Sequence, residues 1–350
     1  MDPSPASPPP RASSRPLHSS APIELLPVEL IQKIFFDCLD VNFPRASPTI
    51  AAALSNPIIY TWLIRLAFSS NNESSNKGFF ITSFLPLNYF SLDTHERAAL
   101  QTKLLECRWC TIPLIRKCQR EYIEHVLQQK CSTTQLNISA DDRAHLTNLD
   151  TYFQAMDRFD TAAQGKRGRG DLVLPAHSTT TSQPYKISIW FNFGTVQIRE
   201  PSPVYIESDV FRLPCCSFAE PCRMPDKLLR PPFTDEKLEF LTLLSTEAYI
   251  DEDNTYRRCK AVLRQVIQDR DIHAFERLLD LNVRVKVYGY PLRWPVRPNH
   301  FRLAARFATN AENHDDPFLK LLFTKRRDDV PKDDGGLRAL MGRYDRRASF

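Results

Sequence analysis

LPVELIQKIF, residues 26–35, holds the clearest local signals in this chain. Pro27 suits the first position of a helix, and Glu29 places a negative charge near the positive end of the helix dipole. Apolar side chains then recur at spacings of three and four residues, at Leu30, Ile31, Ile34, Phe35, Cys38 and Leu39. The segment therefore predicts an amphipathic helix with a broad apolar face.

Two more short helices are expected after this segment. Pro44 and Pro48 bound a connection, and residues 50–54 and 58–68 are apolar runs separated by the turn signal Asn56-Pro57. We expect the three helices to form one unit over residues 23–68. A unit of about 45 residues buries little core of its own, so an apolar helix within it favours a binding partner.

The motif Leu-Pro-x-Glu-Leu followed by Ile-Phe resembles the opening of an F-box. Residues 42–54 and 107–113 extend the similarity to F-box-like proteins of filamentous fungi. The chain lacks the Val-Cys-x-x-Trp stretch of the usual pattern, although Trp62 lies near the place of its terminal Trp. The resemblance implies a three-helix F-box that binds a Skp-family linker of a cullin-RING ubiquitin ligase, while the rest of the chain recruits a protein substrate. The residues that it assigns to the linker are Leu26, Pro27, Leu30, Ile34 and Phe35.

A purely structural role for the same helix stays open. Pro at a helix start and an acid in the first turn are general helix signals, so this helix could also pack on residues 96–160. In that case the chain is a non-enzymatic interaction scaffold without a role in ubiquitin transfer.

Low complexity and helical periodicity organise the first half of the chain. Residues 1–22 are rich in Pro and Ser and predict a disordered tail. Residues 78–160 show helical spacing of apolar residues, which predicts helices at residues 95–107 and 113–131 and a third that starts at Ser139, followed by Asp141 and Asp142. Residues 161–183 are polar around GKRGRG and predict a flexible loop.

In the second half of the chain, the spacing of apolar residues changes from a helical period to alternation. Residues 184–232 alternate apolar and polar side chains about the turn Asn192-Phe193-Gly194, which predicts a small β-hairpin segment. Residues 233–350 predict a C-terminal helical recruitment domain with paired helices that weakly resemble ankyrin repeats; ordinary helical hairpins are the slightly favoured explanation. The expected fold class is therefore mainly α with a small β segment, of the α+β type.

Composition and charge limit the class of protein. Of 350 residues, 42% are hydrophobic and 25% charged, as in a globular protein. Neither a signal peptide nor a transmembrane segment is recognisable, so we expect no membrane association and a place in the cytoplasm or nucleus. Nine cysteines, an odd number, then predict reduced thiols. From residue 257 on, 21 Lys and Arg stand against 12 Asp and Glu, which leaves nucleic-acid binding as a less favoured alternative.

The sequence predicts no catalytic centre. No complete phosphate-binding loop, HExxH helix or Gly-x-Ser-x-Gly elbow is present. One arrangement has ligand types that suit zinc, namely Cys107, Cys110, His125 and Cys131; a buried cluster of reduced cysteines is the favoured explanation, because a single CxxC without a second close pair is a weak metal signal. We expect no enzyme activity, no metal and no cofactor.

Overall fold

A computed structural model describes residues 21–70, 92–133, 135–154, 171–201, 209–308 and 316–348. Of these residues 57% are helical and 13% lie in strands, in a mixed α+β fold that is mainly helical. The predicted fold class is thereby confirmed at this level. The chain divides into two compact units, with the division between Asn56 and Pro57. Most of the predicted tail lies outside the described residues.

The first unit contains two helices, each preceded by a 3₁₀ turn. The turn Pro22–Leu25 leads into α1 (Val28–Cys38), and the turn Phe43–Arg45 leads into α2 (Pro48–Leu54). Helix α1 ends at Leu39, which adopts a left-handed conformation and donates its N–H to the carbonyl of Phe35 at 2.7 Å. These ends limit α1 to 11 residues.

The third helix of the predicted 23–68 unit belongs instead to the second compact unit. Helix α3 (Pro57–Phe68) packs against α4 (Thr94–Glu106) and α5 (Ile112–Thr133). The reason is that α3 is apolar on nearly every side, with buried side chains at Ile59, Trp62, Leu63, Ile64, Leu66, Ala67 and Phe68. A helix apolar all round needs packing partners on several sides, so the structural boundary falls before α3.

Helices continue through the region predicted as helical. The third predicted helix consists of two, α6 (Ala140–Thr147) and α7 (Leu149–Gln154). Helix α6 begins where expected, because the Ser139 hydroxyl accepts the N–H of Asp142 at 3.0 Å. Residues 78–91 and 155–160 of the predicted region lie outside the described residues.

A five-stranded antiparallel sheet follows, in the order β1 to β5. The strands are β1 (Leu136–Asn137), β2 (Leu172–Ser178), β3 (Pro184–Trp190), β4 (Thr195–Arg199) and β5 (Val210–Arg212). The predicted hairpin is present as β3 and β4, which pair from Lys186↔Arg199 to Trp190↔Thr195.

Strand β2 was not expected, because residues 161–183 were predicted to be a flexible loop. Its alternation is regular, with Leu172, Leu174 and Ala176 buried and Pro175 exposed. A proline argues against a central strand in sequence. Here β1 pairs β2 only at Asn137↔His177 and Leu136↔Ser178, so the outer edge of β2 at Pro175 has no paired strand among the described residues. Residues 155–170, which include GKRGRG, lie outside the described residues.

The C-terminal region combines helices with a second small sheet. The elements are α8 (Asp235–Leu244), β6 (Tyr249–Asp251), α9 (Arg257–Asp269), α10 (Ile272–Asp280), β7 (Asn282–Val285), β8 (Leu292–Arg293), α11 (Pro298–Ala308), α12 (Pro317–Lys325) and α13 (Gly335–Ala348). Strand β7 pairs parallel with β6 and antiparallel with β8. The prediction of helices alone was wrong here, because strands of two to four residues are too short to show a period in the sequence.

The C-terminal helices pack as two pairs. Helix α9 contacts α10 within one pair, and α11 contacts α12 within the next. Between the pairs, α9 packs on α11 and α10 packs on α12. The first helix of one pair thus packs on the first helix of the other, and the second helix on the second. Strands β7 and β8 lie in the connection between the pairs.

Among the described residues, no single helix is long and apolar enough to cross a membrane; Pro48–Leu54 and Pro57–Phe68 reach the required length and composition only when taken together.

Candidate partner-binding surface

A row of apolar residues lies on the exposed side of α1. Pro27, Leu30, Ile34 and Cys38 are spaced by three, four and four residues, so they share one side of the helix. All four are exposed, Leu30 to 46% and Ile34 to 36%. We call these four residues the α1 strip.

Two more exposed apolar side chains lie at the N-terminal end of α1. Leu25, in the turn before the helix, is 75% exposed, and Val28, the first helical residue, is 47% exposed. Together with the α1 strip they make this end of the unit unusually apolar. Soluble proteins rarely leave such groups of apolar side chains in water unless they bind something.

The opposite side of α1 anchors the helix within its own unit. Phe35 and Phe36 are buried with ring centroids 5.5 Å apart, and the Phe35 ring stacks on Phe43 at 6.5 Å. The side-chain amide of Gln32 donates to the carbonyl of Ala53 in α2 at 3.0 Å. These contacts orient α1 and thereby hold the α1 strip outward.

The structure therefore places the five predicted linker-binding residues differently. Pro27, Leu30 and Ile34 are exposed, as a binding surface requires, and Leu26 is half-buried. Phe35 is only 3% exposed. Its ring lies between Phe36 and Phe43, so Phe35 supports the surface from inside and does not lie on it.

Leu25, Val28 and Cys38 were not among the residues predicted to bind the linker. Cys38 lies four residues after Ile34, so the helical spacing already contained the signal for it. No comparable signal pointed to Leu25, because its exposure depends on the 3₁₀ turn that precedes α1.

Charged side chains border the α1 strip. Glu29, Lys33 and Asp37 are exposed at spacings of four residues on the neighbouring side of the helix. This arrangement gives an apolar row with a solvated charged margin, which is the usual composition of a protein-protein contact.

The cysteines considered for zinc do not form a metal site. Within the described part of the chain, no three His, Cys, Asp or Glu side chains are close enough to hold a metal ion. The Lys227 ammonium donates to the backbone carbonyls of Cys107 and Cys110. Burial raises the pKa of the Cys110 thiol to about 12. Near neutral pH and without a metal, Cys110 is therefore a buried, protonated thiol.

The acidic cluster at residues 251–253 also has a structural explanation. Asp251 is buried, and its carboxylate accepts the N–H groups of Arg258 and Cys259 at 2.7 and 3.0 Å. It thus caps the start of α9 in place of an N-cap side chain. This use of Asp251 leaves the α1 strip as the best-defined candidate site.

Comparison with protein-family models, with curated proteins and with solved structures found no match for this chain.

Proposed function

We propose that this chain is a non-enzymatic F-box-type adaptor in the cytoplasm or nucleus. The α1 strip binds a Skp-family linker of a cullin-RING ubiquitin ligase, and the C-terminal helical region recruits a target protein. The observation that carries the proposal is the exposure of Leu30 and Ile34 on a helix whose other side is anchored. The Leu-Pro-x-Glu-Leu resemblance indicates which kind of partner covers them.

The exposed parts of these side chains set the scale of the interaction. Full burial of a Leu or Ile side chain contributes about 1.5–3 kcal/mol. Leu30 and Ile34 are 46% and 36% exposed, so covering the remainder contributes about 1 kcal/mol each. The pair then accounts for roughly a 30-fold change in affinity, which is measurable without being the whole interface.

The packing of the C-terminal helices supports a recruitment role for that region. Successive pairs, α9 with α10 and α11 with α12, stack so that like helices meet, and a short strand pair connects them. Ankyrin repeats stack in a similar way. We therefore propose a degenerate ankyrin-like domain that presents the recruited protein to the ligase.

Two matched double variants test the role of the α1 strip. Leu30→Gln with Ile34→Gln makes the apolar row polar, and Lys33→Gln with Asp37→Asn removes two charges from the neighbouring side. Purified full-length protein is titrated with the Skp-family linker from the same cell in a calorimeter. We expect the first variant to lose affinity by about 30-fold and the second to bind within about twofold of the unchanged chain.

Circular dichroism and denaturant unfolding of each variant separate binding from folding. Failure of the folded, unchanged chain to bind the linker contradicts the proposal and leaves the interaction scaffold as the explanation. Equal losses in both variants would show that the apolar row contributes no more to the contact than its charged margin.

A further inference from the structure

The excess positive charge of the C-terminal region is unevenly distributed, because the acidic side chains there pair with only some of the cations. Several acids there are held in ion pairs elsewhere: Glu276 and Asp280 with Lys325, Asp316 with Arg270, and Asp334 with Arg302. In contrast, Arg257 and Arg264 of α9 are exposed, and within the described residues neither forms an ion pair. Part of the excess charge is therefore displayed along α9.

The cations of α9 lie on one side of the helix. Arg257, Lys260 and Arg264 are at positions i, i+3 and i+7, which face the same direction. The opposite side is buried at Cys259, Val262, Leu263, Val266 and Ile267. The three cations thus form a row on a helix whose opposite side packs in the core.

One more cation joins this row from the segment before α11. The Arg297 guanidinium lies 5.1 Å from the ring centroid of Tyr256, the residue that precedes α9. His300 connects the two segments, because its Nδ1 accepts the N–H of Arg297 at 3.0 Å and its Nε2–H donates to the carbonyl of Lys260 at 3.3 Å. We call Arg257, Lys260, Arg264 and Arg297 the α9 basic face.

The position of Arg257 and Lys260, near the start of α9, is unfavourable for the helix itself. The first turn of α9 contains no acid, although the helix dipole disfavours cations at a helix N-terminus. Helices α4, α6 and α8 all have acids in the first turn, at Glu96, at Asp141 and Asp142, and at Asp235 and Glu236. Arg257 and Lys260 therefore do not stabilise the start of α9 through the helix dipole, and their charges are available to a ligand.

The acidic side chains near the α9 basic face determine its net charge. Asp251 already accepts the first-turn N–H groups, and Arg258 is paired with Asp226. Asp253 lies near Arg257 and Lys260, and hydrogen bonds from Thr255 are the main reason that its pKa is low. One acid beside four cations leaves a net positive face, so its ligand is negatively charged.

The dimensions and side chains of the face favour a peptide over a nucleic acid. Seven residues of helix separate Arg257 from Arg264 by about 10.5 Å, which a peptide in the polyproline II conformation covers in about three residues, one full turn. The other outward residues of this side are Ala261 and Gln268, neither of them aromatic. Proteins that hold single-stranded nucleic acid rely on aromatic rings for stacking, and the nearby Tyr256 ring already has Arg297 over it.

We propose that the α9 basic face binds an acidic peptide segment of a partner protein in the polyproline II conformation, with carboxylates spaced about three residues apart on one side. That the partner is the recruited substrate rests on the adaptor function proposed above; the binding itself does not. At low salt the four cations attract such a segment, and the attraction weakens as ionic strength rises.

The test uses the full-length chain and three fluorescent probes. The first is a peptide with Glu at every third position, the second is the same peptide with Gln in place of Glu, and the third is an oligothymidylate. One variant carries Arg257→Gln, Lys260→Gln and Arg264→Gln. A control variant removes three exposed charges elsewhere, by Arg277→Gln, Lys320→Gln and Lys332→Gln.

We expect the Glu peptide to bind and the Gln peptide not to bind. The α9 variant should lose affinity for the Glu peptide by about tenfold or more, and the control variant by no more than about twofold. Raising the salt from about 50 to 200 mM should weaken binding to the unchanged chain more than to the α9 variant. Arg264→Gln alone changes one exposed position in mid-helix, and it should lose less affinity for the Glu peptide than the triple variant. This single variant keeps the test valid if the triple variant misfolds.

Three outcomes overturn the proposal. They are equal losses in the two triple variants, no binding of the Glu peptide by the folded chain, and tighter binding of oligothymidylate than of the Glu peptide. Linker binding is measured on the same samples. Peptide binding that depends on α9 while the unchanged chain fails to bind the linker would reject the adaptor function and leave the acidic-peptide site standing.

Discussion

Gly194 offers the most sharply defined perturbation of this fold. It connects β3 to β4 with a φ of +56°, in the left-handed region that favours glycine. A Cβ at this position would lie 2.3 Å from the carbonyl oxygen of Leu213 and 2.6 Å from Cγ of Gln119. The contact with Leu213 involves backbone and cannot be relieved by a change of rotamer.

The cost of Gly194→Ala follows from two parts. A left-handed conformation costs a residue with a side chain about 1–2 kcal/mol. The clash also displaces Leu213, whose N–H donates to Gly194 at 3.0 Å and whose carbonyl accepts from Nε2 of Gln119 at 2.8 Å. Leaving a buried polar group unpaired costs about 1–3 kcal/mol, so we expect the free energy of unfolding to fall by about 2–5 kcal/mol.

Urea unfolding followed by circular dichroism measures this loss. Gly342→Ala in α13 is the matched control, because nothing lies within 4 Å of its added Cβ. Alanine there should leave the free energy of unfolding unchanged or raise it by up to about 1 kcal/mol. A fall of less than about 1 kcal/mol for Gly194→Ala would refute the close approach of Gly194, Leu213 and Gln119.

Two further measurements address the titration of His300 and the exposure of the α1 strip. Burial lowers the pKa of His300 below 6.5, so the unfolded chain binds its proton first and the free energy of unfolding falls as pH drops below 6.5. Replacing His300 with Gln should flatten this dependence in urea titrations at successive pH values, and an unchanged slope would contradict the assignment. Cys38 is the exposed thiol among the nine cysteines, so iodoacetamide should modify it first. Bound linker should slow that reaction, and equal rates with and without linker would place the contact away from the α1 strip.

Local patterns in the sequence predicted several elements because their causes are local. The start of α6 depends on Ser139 and the adjacent acids, and the β3–β4 hairpin depends on alternation about Asn192-Phe193-Gly194. The amphipathic character of α1 likewise follows from the spacing of Leu30 and Ile34. Each of these features depends only on residues close together in the sequence, so the local sequence determines it.

Other features depend on which distant residues meet. Strand β2 exists because β3 pairs with it along its whole length, despite Pro175. Helix α3 belongs to the second unit because α4 and α5 cover it. Neither partner can be identified from the residues of β2 or α3 themselves.

The same distinction between local and long-range causes applies to the α1 strip and to the α9 basic face. The sequence by itself determined that α1 has apolar residues at helical spacing and that the C-terminal part carries excess positive charge. Only the tertiary structure decided that Phe35 lies inside and Ile34 outside, because that choice depends on the stacking of Phe35 with Phe43. It also decided which cations remain in solvent, since ion pairs such as Arg270 with Asp316 form between residues far apart in the chain.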